Sequence, residues 1–140
     1  MTRALKITEG QATGNRFVIF SDPAGAMDLS VEKFTSLADR DGGGGADGVI
    51  RAIRSDHIPE GSSILETDPD AEWFMDHRNS DGSTAAVCGN ALRVFVACLM
   101  AEDLVDLTHG DRIAIGTRDG VKDAQVGAKG VFRVDLGRWR

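Results

Sequence analysis

The apolar residues of this chain follow two periods, and the change between them marks its elements. Phe17-Val18-Ile19-Phe20 is an aromatic and β-branched run that predicts a strand, closed by the turn Ser21-Asp22-Pro23-Ala24-Gly25. Weak alternation over residues 4–8 predicts an opening strand before it, with the small and polar residues 9–16 as a connection. Ser30 has the character of an N-cap, and Val31, Phe34, Leu37 and Ala38 behind it mark one face of a short helix. Residues 49–54 return to a strand pattern after the glycine-rich 42–48. Residues 55–69 carry Pro59, Gly61 and Pro69 and are expected as a surface connection around a short strand at 63–65. A strand over 72–78 then delivers Asn79 into a polar turn. Beyond that turn Leu92, Phe95, Val96, Leu99 and Met100 recur at i, i+3, i+4, i+7 and i+8, the signature of an amphipathic helix. Strands at 112–117, 122–126 and 130–136 complete the chain, with Asp119-Gly120 as a turn. Many strands with two helices predict one α+β domain over residues 1–140, a curved mixed or antiparallel sheet wrapped around a central helix.

Composition narrows the functional classes. The 140 residues are 41% hydrophobic and 27% charged, ordinary for a globular domain but small for an enzyme that must enclose a substrate alone. A net charge of −6 without a basic stripe argues against nucleic acid or an anionic membrane as partner. No apolar run reaches the length of a membrane span, and the N-terminus lacks the apolar block of a signal peptide, so a cytoplasmic location is expected. The two cysteines form no zinc pattern and are badly placed for a disulfide.

Candidate chemistry centres on the turn and helix start at residues 79–93. Cys88 falls where the apolar helix begins, followed by Gly89 and Asn90. Unpaired N–H groups of a first helical turn lower a thiol pKa and can bind a carboxylate beside it. The competing reading is that a cysteine is merely a small buried hydrophobe. That reading suits Cys98, between Ala97 and Leu99 inside the helix, whereas for Cys88 both readings stay open. Asn15, after Gly14 at the mouth of a strand, is either a turn residue or a ligand. The glycine run 42–45 lacks the Lys-Ser/Thr of a phosphate loop and is a connection beside a ligand cavity or a plain linker. His77 is expected opposite Met75 or in solvent, outside the site.

Taken together, Gly14-Asn15-Arg16-Phe17-Val18, Gly45-Ala46-Asp47-Gly48, Arg78-Asn79-Ser80-Asp81-Gly82-Ser83, Cys88-Gly89-Asn90 with Arg93, Gly116-Thr117-Arg118 and Val134-Asp135-Leu136-Gly137 resemble the N-terminal half of diaminopimelate epimerase. The resemblance implies a racemase without cofactor or metal, built from two similar α/β halves that each offer one cysteine to a shared cleft. It implies that Cys88 is an acid/base residue, that Gly89 and Asn90 present backbone N–H groups to the α-carboxylate, and that Asn15 and Asn79 hydrogen-bond the bound amino acid. The second cysteine would come from a partner chain carrying the C-terminal half, a heterodimer, or from a twofold dimer facing two copies of Cys88 across one site. A binding or stabilising half without catalysis is the alternative function. Arg16, Gly42-Gly43, Ala86 and Ala91 depart from the family pattern, which leaves the substrate open between diaminopimelate and a related amino acid.

Overall fold

A computed structural model describes residues 8–12, 15–25, 48–79, 81–85, 89–108, 110–127 and 132–135, with side chains over 18–25, 48–79, 81–85, 89, 91–108 and 110–127. The expected helix at 31–38 and the glycine run lie outside these residues.

Seven strands form one mixed sheet in chain order: β1 (Thr8–Ala12), β2 (Asn15–Ser21), β3 (Gly48–Arg54), β4 (Trp73–Asn79), β5 (Arg112–Thr117), β6 (Gly120–Val126) and β7 (Phe132–Asp135). Pairings β2/β3 and β4/β5 are parallel and the other four antiparallel. Helix α1 (Pro59–Leu65) follows a 3-10 turn at Ser55–His57, and helix α2 (Gly89–Ala101) follows β4. The result is an α+β arrangement.

Alternation along the strands sorts side chains onto two faces. Ile19, Ile50, Ala52, Trp73, Met75 and Ile115 form one core with Ala91, Leu92, Phe95, Val96, Cys98 and Leu99 of α2. Burying an aliphatic or aromatic side chain of this size stabilises by roughly 1.5–3 kcal/mol, so the apolar stripe of α2 accounts for its docking. The helix lies against β1 to β4 and against β6 and β7, strands from both halves of the sheet. On the opposite face Ile53, Ile58 and Phe74 pack with Ile64 of α1.

Three sequence expectations need correction. The described opening strand is Thr8–Ala12, residues 4–7 of the expected strand lying outside the described residues, and Ala12 pairs with Asn15, so most of the expected connection is instead a hairpin with β2. Backbone pairing with a strong neighbouring strand outweighs the weak intrinsic preference of Thr-Glu-Gly-Gln-Ala. The strand expected at 63–65 is the end of α1, because Pro59 occupies the first helical turn, where its missing N–H costs nothing. Gly61 lets that helix lie directly on the Ser55 backbone, where a side chain would collide with the Ser55 carbonyl. His77 is buried, at 7% exposure, and shares the face of Met75, because residues two apart in a strand point the same way.

Candidate functional site

Strand directions bring the candidate residues to one end of the sheet. In parallel β2 and β3 Phe17 pairs with Gly48, and in antiparallel β4 Gly48 pairs with Asn79. The starts of β2 and β3 and the finish of β4 therefore share an edge, with Asn15 at the first position of β2. A side chain on Gly48 would strike His77 Nε2 and the Arg78 carbonyl, so only glycine fits there without displacement.

The segment after Asn79 folds back on β4. The Ser83 carbonyl accepts from the Asn79 N–H at 2.8 Å, the Asn79 carbonyl from the Gly82 N–H at 2.9 Å, and the His77 carbonyl from the Ala85 N–H at 3.1 Å. Gly82 supplies the turn with φ +88°. Asp81 Oδ1 accepts from the Ser83 N–H at 2.9 Å and from its hydroxyl at 2.6 Å, and these bonds hold the Asp81 carboxyl below its ordinary pKa. Asn79 spends both amide hydrogens inside the loop, on Ser83 Oγ at 3.1 Å and the Thr84 carbonyl at 3.4 Å. An amide nitrogen has two donors, so Oδ1 is the Asn79 atom left to meet a ligand.

Three residues lie between Ala85 and Gly89, four Cα–Cα steps with a reach of about 14 Å at full extension. The N-terminus of α2 is thereby tethered to the same end of the sheet as Asn79. Gly89 is its first residue, half-buried, and Asn90 its second. Cys88 lies outside the described residues, as do the side chains of Asn15 and Asn90. The structure thus brings together Asn79, Gly89 and the backbone positions of Asn15 and Asn90. Cys98 is buried against the sheet.

A charged cluster escaped the sequence reading. Asp76, with no exposure at all, stands in register with Arg51 on β3. Its Oδ2 accepts from Arg51 Nε at 3.0 Å with Nη2 paired at 3.0 Å, and its Oδ1 accepts from Arg78 Nε at 3.2 Å and forms an ion pair with Arg118 Nη1 at 2.7 Å. Arg118 arrives because the β4/β5 ladder consists of only two residue pairs, Trp73 with Ile115 and Phe74 with Gly116. Where the strands part, the guanidinium spans the gap. Burial pushes the Asp76 carboxyl up, but Arg118, Arg51 and Arg78 together outweigh it and hold the group below its ordinary value. Period-2 alternation puts Asp76 and Arg78 on one face, yet it carries no information about which residues the neighbouring strands set beside them.

An open groove of about 500 Å³ lies at the other end of the sheet, lined in part by Arg54, Trp73, Leu104, Arg112 and Ile113. The length of β4 separates it from Asn79. Among the described residues no three His, Cys, Asp or Glu side chains converge as a metal site, and no helix is long and apolar enough to cross a membrane.

Comparison with known proteins places this geometry among relatives. A family profile described as diaminopimelate epimerase matches residues 7–140. A diaminopimelate epimerase of Streptomyces coelicolor (strain ATCC BAA-471 / A3(2) / M145) is 41% identical over 138 residues, which cover 99% of this chain and 46% of that protein. One from Thermobifida fusca (strain YX) is 39% identical over 134 residues, 95% of this chain and 48% of that protein. The chain spans about half the length of the curated relatives it matches. Among solved structures, a phenazine biosynthesis protein of the PhzF family from Enterococcus faecalis superposes with a TM-score of 0.56 at 8% identity, covering 89% of this chain and 40% of that one, a likeness of fold alone.

Proposed function

Because this chain belongs to the diaminopimelate epimerase family, we propose that it forms one half of an amino-acid epimerase that works without a cofactor, with Cys88 as one of two acid/base thiols. The observation that carries this reading is the convergence of Asn79 and the start of α2 at one end of the sheet, with Cys88 next in sequence to Gly89. The sheet is read as curled around α2, supported by the helix's approach to both edge strands, β1 and β7.

The chemistry follows from these residue types. An α-hydrogen beside a carboxylate is very weakly acidic, so its removal needs donors already aimed at the developing negative charge. The first N–H groups of α2, at Gly89 and Asn90, supply donors and the positive end of the helix dipole for the α-carboxylate. The Cys88 thiolate takes the α-proton from one face while an opposing thiol gives its proton to the other, inverting the centre. Asn79 Oδ1 accepts from a substrate ammonium, and Asn15 bonds the same ligand from the mouth of β2.

The opposing thiol and the second wall come from polypeptide outside residues 1–140, which we propose docks at this end of the sheet. The share of each relative that this chain matches, 46% and 48%, supports the division into halves. The substrate is diaminopimelate or a related amino acid.

The test is interconversion of diaminopimelate stereoisomers by the assembled halves, followed by chiral chromatography. Cys88→Ala is expected to lower the rate by at least about 100-fold, the usual worth of a positioned proton-transfer group. A variant as active as the unaltered protein would assign the chain a binding or stabilising role instead.

A further inference from the structure

We infer that Arg78 is a positioning residue for this site: it ties the loop carrying Asn79, and through it the start of α2, to the fully buried carboxylate of Asp76. This inference rests on the proposed epimerase function and names a residue that the function, as proposed, does not require.

The loop has little else to fix it. Asp81, Ser83 and Thr84 are exposed, so no buried apolar side chain from those residues pins the loop to the core. Its shape depends on hydrogen bonds, and most of these run within the loop or to the last residues of β4. Arg78 is different because its guanidinium reaches in two directions. Nε donates to Asp76 Oδ1 at 3.2 Å, and Nη1 donates to the Gly82 carbonyl at 3.2 Å. Gly82 is the buried apex of the turn, at φ +88°, so the contact falls where the loop reverses.

Asp76 makes a firm anchor. It is held from both neighbouring strands, by Arg51 of β3 and by Arg118 just past β5, and Arg51 also reaches Asp22 beyond β2 at 3.3 Å. Arginines from β3, β4 and the end of β5 thus converge on one carboxylate, and Arg51 links it onward to Asp22 beyond β2. A planar guanidinium with several fixed donors can join two acceptors rigidly, whereas an ammonium on a flexible stem does so poorly. Arg78 hands the rigidity of the sheet to the turn, and Asn79, its immediate neighbour, inherits it.

Positioning of this kind matters at the scale of an ångström, where a misplaced group can cost on the order of 100-fold in rate. In the assembled enzyme acting on diaminopimelate, Arg78→Met is expected to lower kcat/KM by roughly 10- to 100-fold. It is expected to raise KM as well as lower kcat, because Asn79 binds substrate and the start of α2 serves the reaction. Arg78→Lys is expected to fall between the two. Amide hydrogen exchange at Gly82 and Ala85 should accelerate in Arg78→Met, while the amides of Ile50 and Ala52, which face β2 in the β2/β3 ladder, keep their protection.

Arg78→Met with kcat/KM within about twofold of the unaltered protein, too little for a misplaced group, would overturn the inference. So would a loss of activity accompanied by equal loss of protection in loop and ladder, which would make Arg78 a stabiliser of the whole sheet. Cys88→Ala, run beside it, separates the two levels. If that variant keeps full activity the proposed epimerase function itself falls, and if it is inactive the Arg78→Met outcome bears on Arg78 alone.

Discussion

Two adjacent buried residues, Asp76 and His77, point to opposite faces of β4 and answer to pH in ways their surroundings dictate. Asp76 has its pKa depressed, so its stabilising contribution is complete above the ordinary carboxylate value of 3.8 and is lost as pH falls through the lower folded value. Asp76→Asn would leave Arg51, Arg78 and Arg118 crowded around a neutral amide. Removing one partner of a buried ionic cluster typically costs about 3–5 kcal/mol, and that loss is expected in denaturant unfolding of the variant. For His77, burial pushes the ring's pKa down, Asp76 pulls it back up, and Arg118 pushes it down again, with a net lowering. The unfolded chain then binds a proton that the folded one refuses. Stability is therefore expected to decline as pH falls below 6.5, at up to about 1.4 kcal/mol per pH unit until the folded ring also protonates. Urea unfolding above and below pH 6.5 checks this: His77→Gln should show a shallower decline than the unaltered protein, and equal slopes would refute it. Neither residue's setting was legible in the sequence. A lone histidine or aspartate in an alternating strand carries no sign of its surroundings, because Arg51 and Arg118, which complete the cluster with Arg78, are brought in from beyond β4.

At the scale of elements, α2 was the most legible part of the chain and its ending shows why. Leu92, Phe95, Val96 and Leu99, picked out by spacing alone, are fully buried, since a long periodic stripe has only one way to dock. The helix closes with the Leu104 N–H donating to the Leu99 carbonyl at 2.9 Å and the Asp103 N–H to the Met100 carbonyl at 3.1 Å, a Schellman pattern. Asp103 sits at its left-handed position, φ +57°, where glycine is the unstrained choice. Asp103→Gly is expected to stabilise the protein by about 0.5–1 kcal/mol, because relief of the left-handed strain exceeds the added freedom of the unfolded chain. Thermal unfolding measures it, and an unchanged or lower Tm would show that the Asp103 side chain compensates for its backbone. Short elements were harder to read. β1 has no apolar run and exists through its pairing with β2, while α1 depends on Pro59 at its start and on the contact of Gly61 with Ser55, neither of which leaves a periodic trace.

At the scale of the whole molecule, the sheet and α2 present one wall of a proposed cleft. The family was readable because Cys88-Gly89-Asn90 and Arg78-Asn79-Ser80-Asp81-Gly82-Ser83 keep a fixed order and spacing. The structure adds what spacing could not convey: the fold-back of residues 81–85 onto the end of β4 beside Asn79, and the buried cluster that steadies it. A single wall can hold a substrate, but inversion at carbon needs proton donors and acceptors on both faces. The most direct test is therefore proton traffic at the substrate's α-carbon, followed by NMR in deuterated water with the assembled halves and diaminopimelate. Deuterium should enter at the α-carbon with the unaltered protein and be lost or slowed at least about 100-fold in Cys88→Ala. Equal incorporation in both, or none in either, would contradict a role for Cys88 in moving that proton.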